Sequence, residues 1–436
     1  MSKQELPQTT IHVGPAGAKG VDAIGETGAA IQLAIDALAF QGGGTVRLRA
    51  GTYVLSDAVR LRAGVALCGE GERTVLRRGP LVWSPLACDA DRGQTEIAPS
   101  DASRFRPGMG VCLHDEKSGW AFSSQPQIVA RIDAGVLHLK GLLTEERYAA
   151  DGGRVVNYFP LILGEHVEGA SVEGLLLDGV VEGWDGPEGP RTALLQLIHC
   201  PGSRVRHVVA RNGLGDGITF GMASVGTTVE DCETHDNRWY GIHPGSHSAR
   251  SAVRRCHIHR NGSDGLYICW GIHHGCFEDN HIHGNGWRQL RSGISIGHKD
   301  TDNLLARNRI HDNRKFGICV RRKTEANGAH RNVFLENTIE NNGTRGDEMA
   351  EAKSRLQPWE GIGAGIHVSG CTRDLRFERN TIRETRSGEA RAQRHAFVFA
   401  EDVQRVVLRE NVVEGHPEAA VVDRAGALAE PVPAGA

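Results

Sequence analysis

From about residue 205 onward, apolar and polar positions alternate in very short stretches that recur at a regular spacing. Each unit has one apolar residue between polar ones, then an asparagine, a short turn, and the pattern glycine–apolar–x–apolar. Undisturbed units are about 24 residues long. Alternation with a period of two indicates β-strands, and the turns are too short to hold the helix of a βαβ unit. The pattern predicts a stack of short strands.

Aligning the units places the same residue types in columns. The apolar column is Ile258, Ile282, Ile310, Ile339, Ile382 and Val413. The polar column before it is Cys232, Cys256, Asn280, Asn308, Asn337, Asn380 and Asn411, and the asparagine column after it is Asn237, Asn261, Asn285, Asn313 and Asn342. The glycine column is Gly217, Gly241, Gly265, Gly293, Gly317 and Gly365. In a parallel β-helix, identical positions of successive coils lie roughly 4.8 Å apart and form ladders. The columns therefore predict an all-β parallel β-helix.

The first part of the chain has a different pattern. Gly28 to Ala39 show the period of an amphipathic helix that ends at three glycines, and strands broken at AGTY and RAGV follow. The stretch ETGAAIQLAIDALAFQGGGTVRLRAGTYVLSDAVRLRAGVALCGEG closely resembles the opening of the pectate-lyase-like β-helix superfamily. This resemblance implies a right-handed β-helix whose first coil is capped by the helix. It leaves the reaction open, because that superfamily includes lyases, hydrolases, epimerases and phage tailspikes.

These patterns predict five segments along the chain. They are a flexible N-terminus (1–20), a cap with the first coils (21–95), a small inserted β-subdomain (96–160), the β-helix with its active-site groove (161–427) and a disordered tail (428–436). The inserted subdomain is predicted because its sequence does not follow the repeat. The tail AEPVPAGA lacks the apolar residues that a packed segment needs.

The composition argues against a nucleic-acid-binding protein and against a membrane protein. The 436 residues include 50 basic and 53 acidic ones, so no net field favours nucleic acid or an anionic membrane. No apolar run reaches the length of a membrane span, and the N-terminus lacks the apolar segment of a secretory signal. The ten cysteines show no C-x-x-C spacing and are interpreted as reduced thiols. We therefore expect a cytoplasmic protein, or a secreted one whose leader was removed, with no nucleic-acid or membrane partner.

Candidate chemistry concentrates at one series of strands. In the glycine–apolar–x–apolar strands the apolar residues point inward and the residues after them point outward. The outward series is Thr219, His243, Tyr267, Ser295, Cys319 and His367. The stretch SGISIGHKDTDN then places His298, Lys299, Asp300 and Asp302 at the exit of one such strand. Insertions after Asn285 and Asn342 are expected to wall a binding groove there, with Trp287, Arg288, Arg291, Trp359 and Glu360 as lining residues.

The stretch DNRWYGIHPGSHSARSAVRRCHIHRNGSDGLYICW resembles the active-site region of mannuronan C5-epimerase catalytic modules. The pattern of that family is Y-G-F-D-P-H-E, followed one coil later by N-G-x-D-G-F. In this resemblance Tyr240 matches the tyrosine that takes part in proton transfer, and Asp264 matches the aspartate of the next coil. His243 stands at the family's aspartate position and Gly245 at its histidine position. The resemblance therefore implies proton abstraction on a sugar more than it implies mannuronate as the substrate.

Proton abstraction next to a uronate carboxylate needs a positive clamp, a base and an acid. The catalytic candidates are Tyr240 as the acid, His243 as the base, Asp264 as an orienting group and Lys299 as a clamp. The substrate-binding candidates are Asp216, Tyr267, Trp270, His298, Arg321, Arg322, His367 and Trp359. Reprotonation from the far face would make the protein an epimerase, and loss of a leaving group would make it a lyase. The sequence leaves both open.

Two other functions remain open on the same scaffold. An inverting glycoside hydrolase needs two carboxylates roughly 5–10 Å apart across the groove. Asp216 and Asp264 occupy one column two coils apart, which predicts a separation of roughly 9–10 Å. The other alternative is a non-catalytic glycan-binding β-helix. In every case the expected partner is an oligo- or polysaccharide, and we expect a monomer or a homotrimer.

We expect no cofactor and no metal. Ca²⁺ remains an option only if several outward carboxylates converge, and the candidates are Asp216, Asp264, Asp300 and Asp302. A histidine column also follows the inward isoleucines by one position, and its members are His235, His259, His283 and His311. We interpret it as a polar ladder on a solvated face, because no carboxylate or cysteine partner recurs in register with it.

Overall fold

The computed structural model describes residues 9–115, 127–179, 193–344 and 363–428. Two units divide the chain: unit 1 comprises Met1–Leu197 and His207–Ile218, and unit 2 comprises Ile198–Arg206 and Thr219–Ala436. The fold is an all-β right-handed parallel β-helix, as the sequence predicts. Among the described residues, no helix combines the length and the apolar character needed to span a bilayer.

Unit 1 contains the capping helix and the first strands. Its elements in chain order are β1 (Thr10–Gly14), β2 (Ala23–Ile24), α1 (Gly28–Phe40), β3 (Gly44–Leu48), β4 (Gly51–Leu55), β5 (Val59–Arg60), β6 (Val65–Arg78), β7 (Trp83–Pro85), β8 (Glu96–Ile97), β9 (Gly110–His114), β10 (Gln127–Asp133), β11 (Val136–Leu139), β12 (Arg154–Val156), β13 (Ile162–Glu165) and β14 (Ser171–Asp178). The strands β15 (Leu195–Ile198), β16 (Arg204–Arg211) and β17 (Ile218–Gly221) contain residues of both units.

Helix α1 packs its apolar face against the strands of unit 1. Its buried residues are Ile31, Ala34, Ile35 and Leu38, which is the spacing of one helix face. Gly43 follows the helix with a φ of 126°, and a Cβ at this position would lie 2.6 Å from the carbonyl oxygen of Gly64. Glycine is therefore required where the chain leaves the helix. The predicted helix is confirmed with its end one residue later, at Phe40.

The N-terminal segment is ordered earlier than the sequence predicts. Strand β1 pairs in parallel with β3, from Thr10 opposite Thr45 to Val13 opposite Leu48. Strand β1 therefore lies within the segment that was predicted to be flexible. The alternation TIHVG is short and is followed by a loop-like PAG, so its pairing with a distant strand is not visible locally.

The inserted β-subdomain is a separate antiparallel sheet with its own core. Six strands follow the order β7-β12-β9-β10-β11-β8. Leu86, Ile97, Phe105, Val111 and Val129 are among the buried residues that fill one face of this sheet. The inserted sheet also contains Trp83–Pro85, which pairs with Arg154–Val156 and forms one edge of the sheet, so the insertion begins before residue 96. This pairing joins residues far apart in sequence, which local patterns do not report.

Unit 2 is a stack of coils built from very short strands. Its elements in chain order are β18 (Thr228–Glu230), β19 (Glu233–His235), β20 (Ile242–Pro244), β21 (Ala252–Arg254), β22 (His257–His259), β23 (Leu266–Tyr267), β24 (Cys276–Glu278), β25 (His281–His283), β26 (Ile294–Ile296), β27 (Leu304–Ala306), β28 (Arg309–His311), β29 (Phe316–Val320), β30 (Val333–Leu335), β31 (Thr338–Glu340), β32 (Ala364–Val368), β33 (Arg373–Glu378), β34 (Thr381–Arg383), β35 (His395–Phe399), β36 (Gln404–Arg409), β37 (Val412–Glu414) and β38 (Val421–Asp423).

Each coil of unit 2 contributes one strand to each of three parallel faces. Face A contains β18, β21, β24, β27, β30, β33 and β36. Face B contains β19, β22, β25, β28, β31, β34 and β37. Face C contains β20, β23, β26, β29, β32, β35 and β38. The predicted isoleucine column lies on face B and is fully buried from Ile258 to Ile382.

The predicted asparagine columns are hydrogen-bonded ladders at the turns. Asn285 shows the pattern: its Nδ2 donates to Oδ1 of Asn313 at 3.0 Å and to the carbonyl oxygen of Ile258 at 3.0 Å. Its own Oδ1 accepts from the backbone N–H of Asn261 at 3.0 Å. Each rung thus satisfies buried backbone groups that no strand ladder reaches, and this is why asparagine recurs at these positions.

Candidate functional site

Face C presents its outward side chains in register. Tyr267 lies opposite Ser295, Ser295 opposite Cys319, and Cys319 opposite His367 along β23, β26, β29 and β32. The residues preceding them, Leu266, Ile294, Ile318 and Ile366, are fully buried. Because side chains alternate along a strand, the predicted outward series is confirmed for these coils.

Three aromatic side chains from two neighbouring coils form a cluster on face C. The rings of Tyr240 and Tyr267 stack with their centroids 4.0 Å apart and their planes at 2°. The imidazole of His243 meets both rings edge-on, with centroid distances of 5.2 Å to Tyr240 and 5.1 Å to Tyr267. The parallel pairing of Ile242 with Leu266 brings these side chains together. We call Tyr240, His243 and Tyr267 the aromatic cluster.

Arg321 lies against the aromatic cluster. Its Cζ is 4.3 Å from the ring centroid of Tyr267. Nη1 donates to Oγ of Ser295 at 2.8 Å, and Nη2 donates to the carbonyl oxygen of Ile268 at 2.6 Å. The side chain is only 13% exposed. Because its guanidinium is held by groups of the protein, the geometry favours a fixed internal charge over the predicted open contact with substrate.

Cys269 also lies beside the cluster, and the sequence analysis missed it. Its Sγ is 3.2 Å from Nδ1 of His298. Burial acts to raise the pKa of Cys269, but hydrogen bonds from His243 and His298 and the charge of Arg321 outweigh it and lower the pKa to about 5. The thiolate is therefore the stable form at neutral pH. A signal was present in LYICW, where Cys269 stands two positions after the outward Tyr267.

Asp264 is buried next to the aromatic cluster, and only one of its two carboxylate oxygens accepts a hydrogen bond from the described residues. Oδ1 accepts a hydrogen bond from the backbone N–H of Ser292 at 2.9 Å. Oδ2 is buried and has no hydrogen-bond partner among the described residues. Burial raises the pKa of Asp264, against the opposing charges of Arg291 and Arg321. The carboxyl group is thus set in a positive environment on face C, consistent with its predicted place near the site.

The ionisable residues that follow β26 contact different partners. Asp300 is fully buried, and its oxygens accept from the backbone N–H groups of Ile272 at 3.0 Å and Gly297 at 2.8 Å. Burial raises the pKa of Asp300 to about 8, although the charge of Arg321 opposes this. Asp300 therefore closes the turn after face C.

The other charged residues of that turn face outward. Asp302 accepts two hydrogen bonds from Arg331, at 2.7 and 2.8 Å. Lys299 is exposed and its ammonium makes no ion pair with any described residue, so its predicted role as a clamp stays a prediction. Asp264, Asp300 and Asp302 engage separate partners, and three or more of the described carboxylates do not gather at one point.

A groove of about 650 Å³ opens beside the aromatic cluster. Its lining residues are Trp270, His298, Arg322, Lys323, Thr324, Asn327, Cys371 and Asp402. Trp270 is 58% exposed and stacks on His298 with ring centroids 5.6 Å apart. Three predicted substrate-binding residues, Trp270, His298 and Arg322, are thus brought together. His298 connects the groove to the aromatic cluster, because it lines the groove and also contacts Cys269 beside the cluster.

The insertion after Asn285 does not line this groove. Trp287 donates from Nε1 to the carbonyl oxygen of Arg260 at 2.9 Å and lines a second groove of about 580 Å³ with Asp236 and Asp312. Trp287 therefore does not line the groove that contains His298, and its predicted place in the wall of the site stays a prediction. The insertion precedes face C in its coil, whereas His298 follows face C, so the two lie at opposite ends of the strand.

The remaining predicted site residues have different outcomes. His367 is 2% exposed and stacks on Phe316 at 4.5 Å, and burial lowers its pKa to about 3. His367 does not line the groove that contains His298, and its predicted contact with substrate stays a prediction. Asp216 belongs to unit 1, so its pairing with Asp264 stays a prediction. Trp359 and Glu360 lie outside the described residues.

The stacked coils with their three parallel faces define this chain as a right-handed parallel β-helix protein. Its ionisable side chains of interest lie on face C. The family described as "Right handed beta helix region" matches residues 197–357. No curated protein matches the sequence.

Two solved structures are similar across most of the chain. The A-module of the mannuronan C-5 epimerase AlgE4 from Azotobacter vinelandii has 18% identity and a TM-score of 0.57, covering 93% of this chain and 95% of that chain. A tailspike protein mutant of E. coli bacteriophage HK620, in complex with a pentasaccharide, has 11% identity and a TM-score of 0.54, covering 90% of this chain and 59% of that chain. At these identities the similarity establishes a shared fold.

Proposed function

We propose that this protein is a carbohydrate-active enzyme of the C5-epimerase or lyase kind, which removes the proton next to the carboxylate of a uronate-containing glycan. The observation that carries the proposal is the position of His298. This residue lines the groove and also contacts Cys269 beside the aromatic cluster. A sugar bound in the groove would therefore lie next to the ionisable groups of face C.

The groove offers the two contacts that an acidic sugar needs. The exposed ring of Trp270 provides an apolar platform for the face of a sugar ring. Arg322 and Lys323 provide positive charge for the carboxylate. Arg322 is 59% exposed, and its 3.9 Å ion pair with Asp402 is loose enough to exchange for a substrate carboxylate. Arg322 and Lys323 thus provide the clamp for which Lys299 was the candidate from the sequence.

The aromatic cluster supplies the proton transfers. His243, as the base, takes the proton from the carbon next to the carboxylate and becomes an imidazolium. The thiolate of Cys269 is hydrogen-bonded to His243 and stabilises that positive charge, as a carboxylate does for histidine in other catalytic sites. The electron pair left on carbon is delocalised into the carboxylate, whose growing charge Arg322 and Lys323 stabilise.

Tyr240 completes the reaction as the acid. If its hydroxyl returns a proton to the same carbon from the far face of the ring, the configuration inverts and the enzyme is an epimerase. If it protonates the departing glycosidic oxygen instead, the products are an unsaturated uronate and a new chain end. Both outcomes balance without a cofactor, because one proton is taken up and one is delivered.

The comparisons support a uronate substrate without naming it. The similar Azotobacter module is a mannuronan C-5 epimerase by name. Tyr240 and Asp264 stand where the epimerase resemblance places the tyrosine and the aspartate, whereas His243 and Gly245 replace other residues of that pattern. A changed base suits a different uronate in the same kind of groove.

The test is incubation of the protein in D₂O with a panel of oligo-uronates and of neutral oligosaccharides. We expect deuterium at the carbon next to the carboxylate for an epimerase, or ultraviolet absorbance of an unsaturated uronate for a lyase, with oligo-uronates alone. Replacing His243→Gln or Tyr240→Phe should slow the reaction by about 10²–10⁴-fold. His274→Gln, which changes an exposed histidine in a turn, should leave the rate unchanged.

Three outcomes contradict the proposal. Turnover of neutral glycans would show that no carboxylate is needed. New reducing ends without deuterium or absorbance would indicate the hydrolase alternative and direct attention to Asp216 and Asp264. Folded protein that leaves every oligo-uronate unchanged would leave a glycan-binding role.

A further inference from the structure

Face B carries a second cluster of ionisable side chains, away from the outward side of face C. The outward positions of β19, β22, β25 and β28 form two neighbouring columns. One column contains Glu233, His257, His281 and Arg309, and the other contains His235, His259, His283 and His311. Successive rings of the second column stack with centroids 4.9, 5.1 and 4.9 Å apart. The predicted histidine column is confirmed, and a second pair of histidines lies beside it.

The reason for interpreting the column as a simple polar ladder does not hold. Oε1 of Glu233 lies 2.7 Å from Nε2 of His259 and 3.5 Å from Nδ1 of His257. Oδ2 of Asp236 lies 2.6 Å from Nδ1 of His235. Glu233 is not apparent from the sequence as a partner of this column, because it belongs to the neighbouring column and the contact crosses between the two.

Three imidazoles of this cluster converge on one point. One nitrogen from each of His257, His259 and His283 lies within 4.8 Å of the other two. The Nε2 atoms of His257 and His283 are 2.9 Å apart. A tetrahedral Zn²⁺ with Zn–N distances of ~2.0–2.1 Å places its ligand nitrogens about 3.4 Å from one another. Small side-chain rotations are therefore sufficient to receive an ion.

One nitrogen of His259 is available to a metal ion. Its Nε2 is hydrogen-bonded to Glu233, whereas its Nδ1 is buried with no hydrogen-bond partner among the described residues. An imidazole nitrogen whose lone pair is not engaged is a common metal ligand.

We propose that His257, His259 and His283 bind a divalent transition-metal ion, with Zn²⁺ as the ion that three imidazoles suit best. Glu233 orients His259 through its hydrogen bond, as carboxylates do for histidine ligands in metal sites. The His257 side chain is 40% exposed, so an ion can reach the three imidazoles from solvent. The bound ion joins β22 to β25 and thereby links two successive coils.

The proposal is tested by calorimetric titration of the full-length, tag-free protein with ZnCl₂, after a chelator has removed any metal. We expect one Zn²⁺ per chain. His257→Gln and His283→Gln should each weaken binding by more than about 100-fold, and Glu233→Gln should weaken it by about 10–100-fold. The matched control is His235→Gln, which removes an imidazole that stacks on His259 but contributes no nitrogen to the set of three ligands, and this variant should bind Zn²⁺ like the wild type.

Two results would overturn the proposal. One is a folded wild-type chain that takes up no Zn²⁺. The other is a His283→Gln variant that folds, as judged by its thermal transition, and binds Zn²⁺ as tightly as the wild type. If the variants do not fold, Co²⁺ added to the wild type decides the matter. Intense visible absorbance of tetrahedral Co²⁺ supports the site, and its absence rejects it. None of these measurements involves a glycan, so the outcome is separate from that of the proposed enzymatic activity.

Discussion

The sulfur of Cys269 lies 3.2 Å from Nδ1 of His298, and this contact joins the aromatic cluster on face C to the groove beside it. His298 comes from the turn after β26, one coil beyond Cys269, so only the stacking of coils creates the pair. Its consequence is a thiolate held between two histidines at neutral pH.

We expect Cys269 to titrate near pH 5 instead of near its ordinary value of 9. Because the folded-state pKa is depressed, the thiolate persists as the pH falls from 9 and is protonated only near 5. The stability that it contributes is lost over the same fall. The measurement is the ultraviolet absorbance of thiolate against pH, taken as wild type minus Cys269→Ser.

Cys319 is the matched control for this titration. It lies on the same face, but burial raises its pKa, so Cys319→Ser should remove no thiolate absorbance at neutral pH. A difference signal for Cys269 with its midpoint near 9 would show that the histidines do not hold the thiolate. His298→Ala should move the midpoint upward, because one of the two stabilising hydrogen bonds is lost.

Replacing Arg321→Met should lower the free energy of unfolding by about 3–5 kcal/mol. The reason is that the buried thiolate of Cys269 would lose the charge of Arg321, and Oγ of Ser295 and the carbonyl oxygen of Ile268 would lose their buried donor. Arg322→Met, at the exposed neighbouring position, should change stability by less than about 0.5 kcal/mol. Urea denaturation of both variants provides the test. Equal unfolding midpoints for the two variants would show that Arg321 does not stabilise the fold.

Replacing Asn285→Ala should lower the free energy of unfolding by at least about 3 kcal/mol, because several buried backbone groups lose their partner at once. Nδ2 of Asn285 satisfies the carbonyl oxygens of Ile258 and His283, and Oδ1 satisfies the N–H of Asn261. Asn327→Ala, at an exposed turn, should have little effect. Thermal denaturation of the two variants measures the difference, and similar melting temperatures would contradict the ladder's role.

Replacing Trp270→Ala should weaken the binding of an oligo-uronate by about tenfold or more, which corresponds to about 1.4 kcal/mol. The lost energy is the stacking of the sugar on the exposed indole. Trp287→Ala is the control: Trp287 is 50% exposed, close to the 58% of Trp270, but it lines the other groove. Calorimetry with both variants identifies the groove in use, and a larger loss for Trp287→Ala would place the glycan in the second groove.

The repeat determined the architecture without any knowledge of contacts. Isoleucine, asparagine and glycine recur at fixed spacing because each coil must fill the same interior, satisfy the same turn and approach the coil below. Because every unit has the same local requirements, the same residue types recur in each of them. The buried position of Ile258, the ladder position of Asn285 and the outward position of Tyr267 were therefore predictable. The helix α1 was predictable for the same reason, since its buried residues share one face of a single element.

Only the tertiary structure decided which residues of different columns and turns contact one another. Cys269 was read as one reduced thiol among ten, because its pKa depends on His243, His298 and Arg321 from three different coils. Glu233 was overlooked beside the histidine column because the two meet across neighbouring positions of a face. Trp287 and Trp270 were both predicted at one site but line different grooves, because spacing along the chain does not tell at which end of a strand an insertion lies. A repeating sequence specifies the interior of its coils, whereas the chemistry of its surface depends on which side chains the stacking places together.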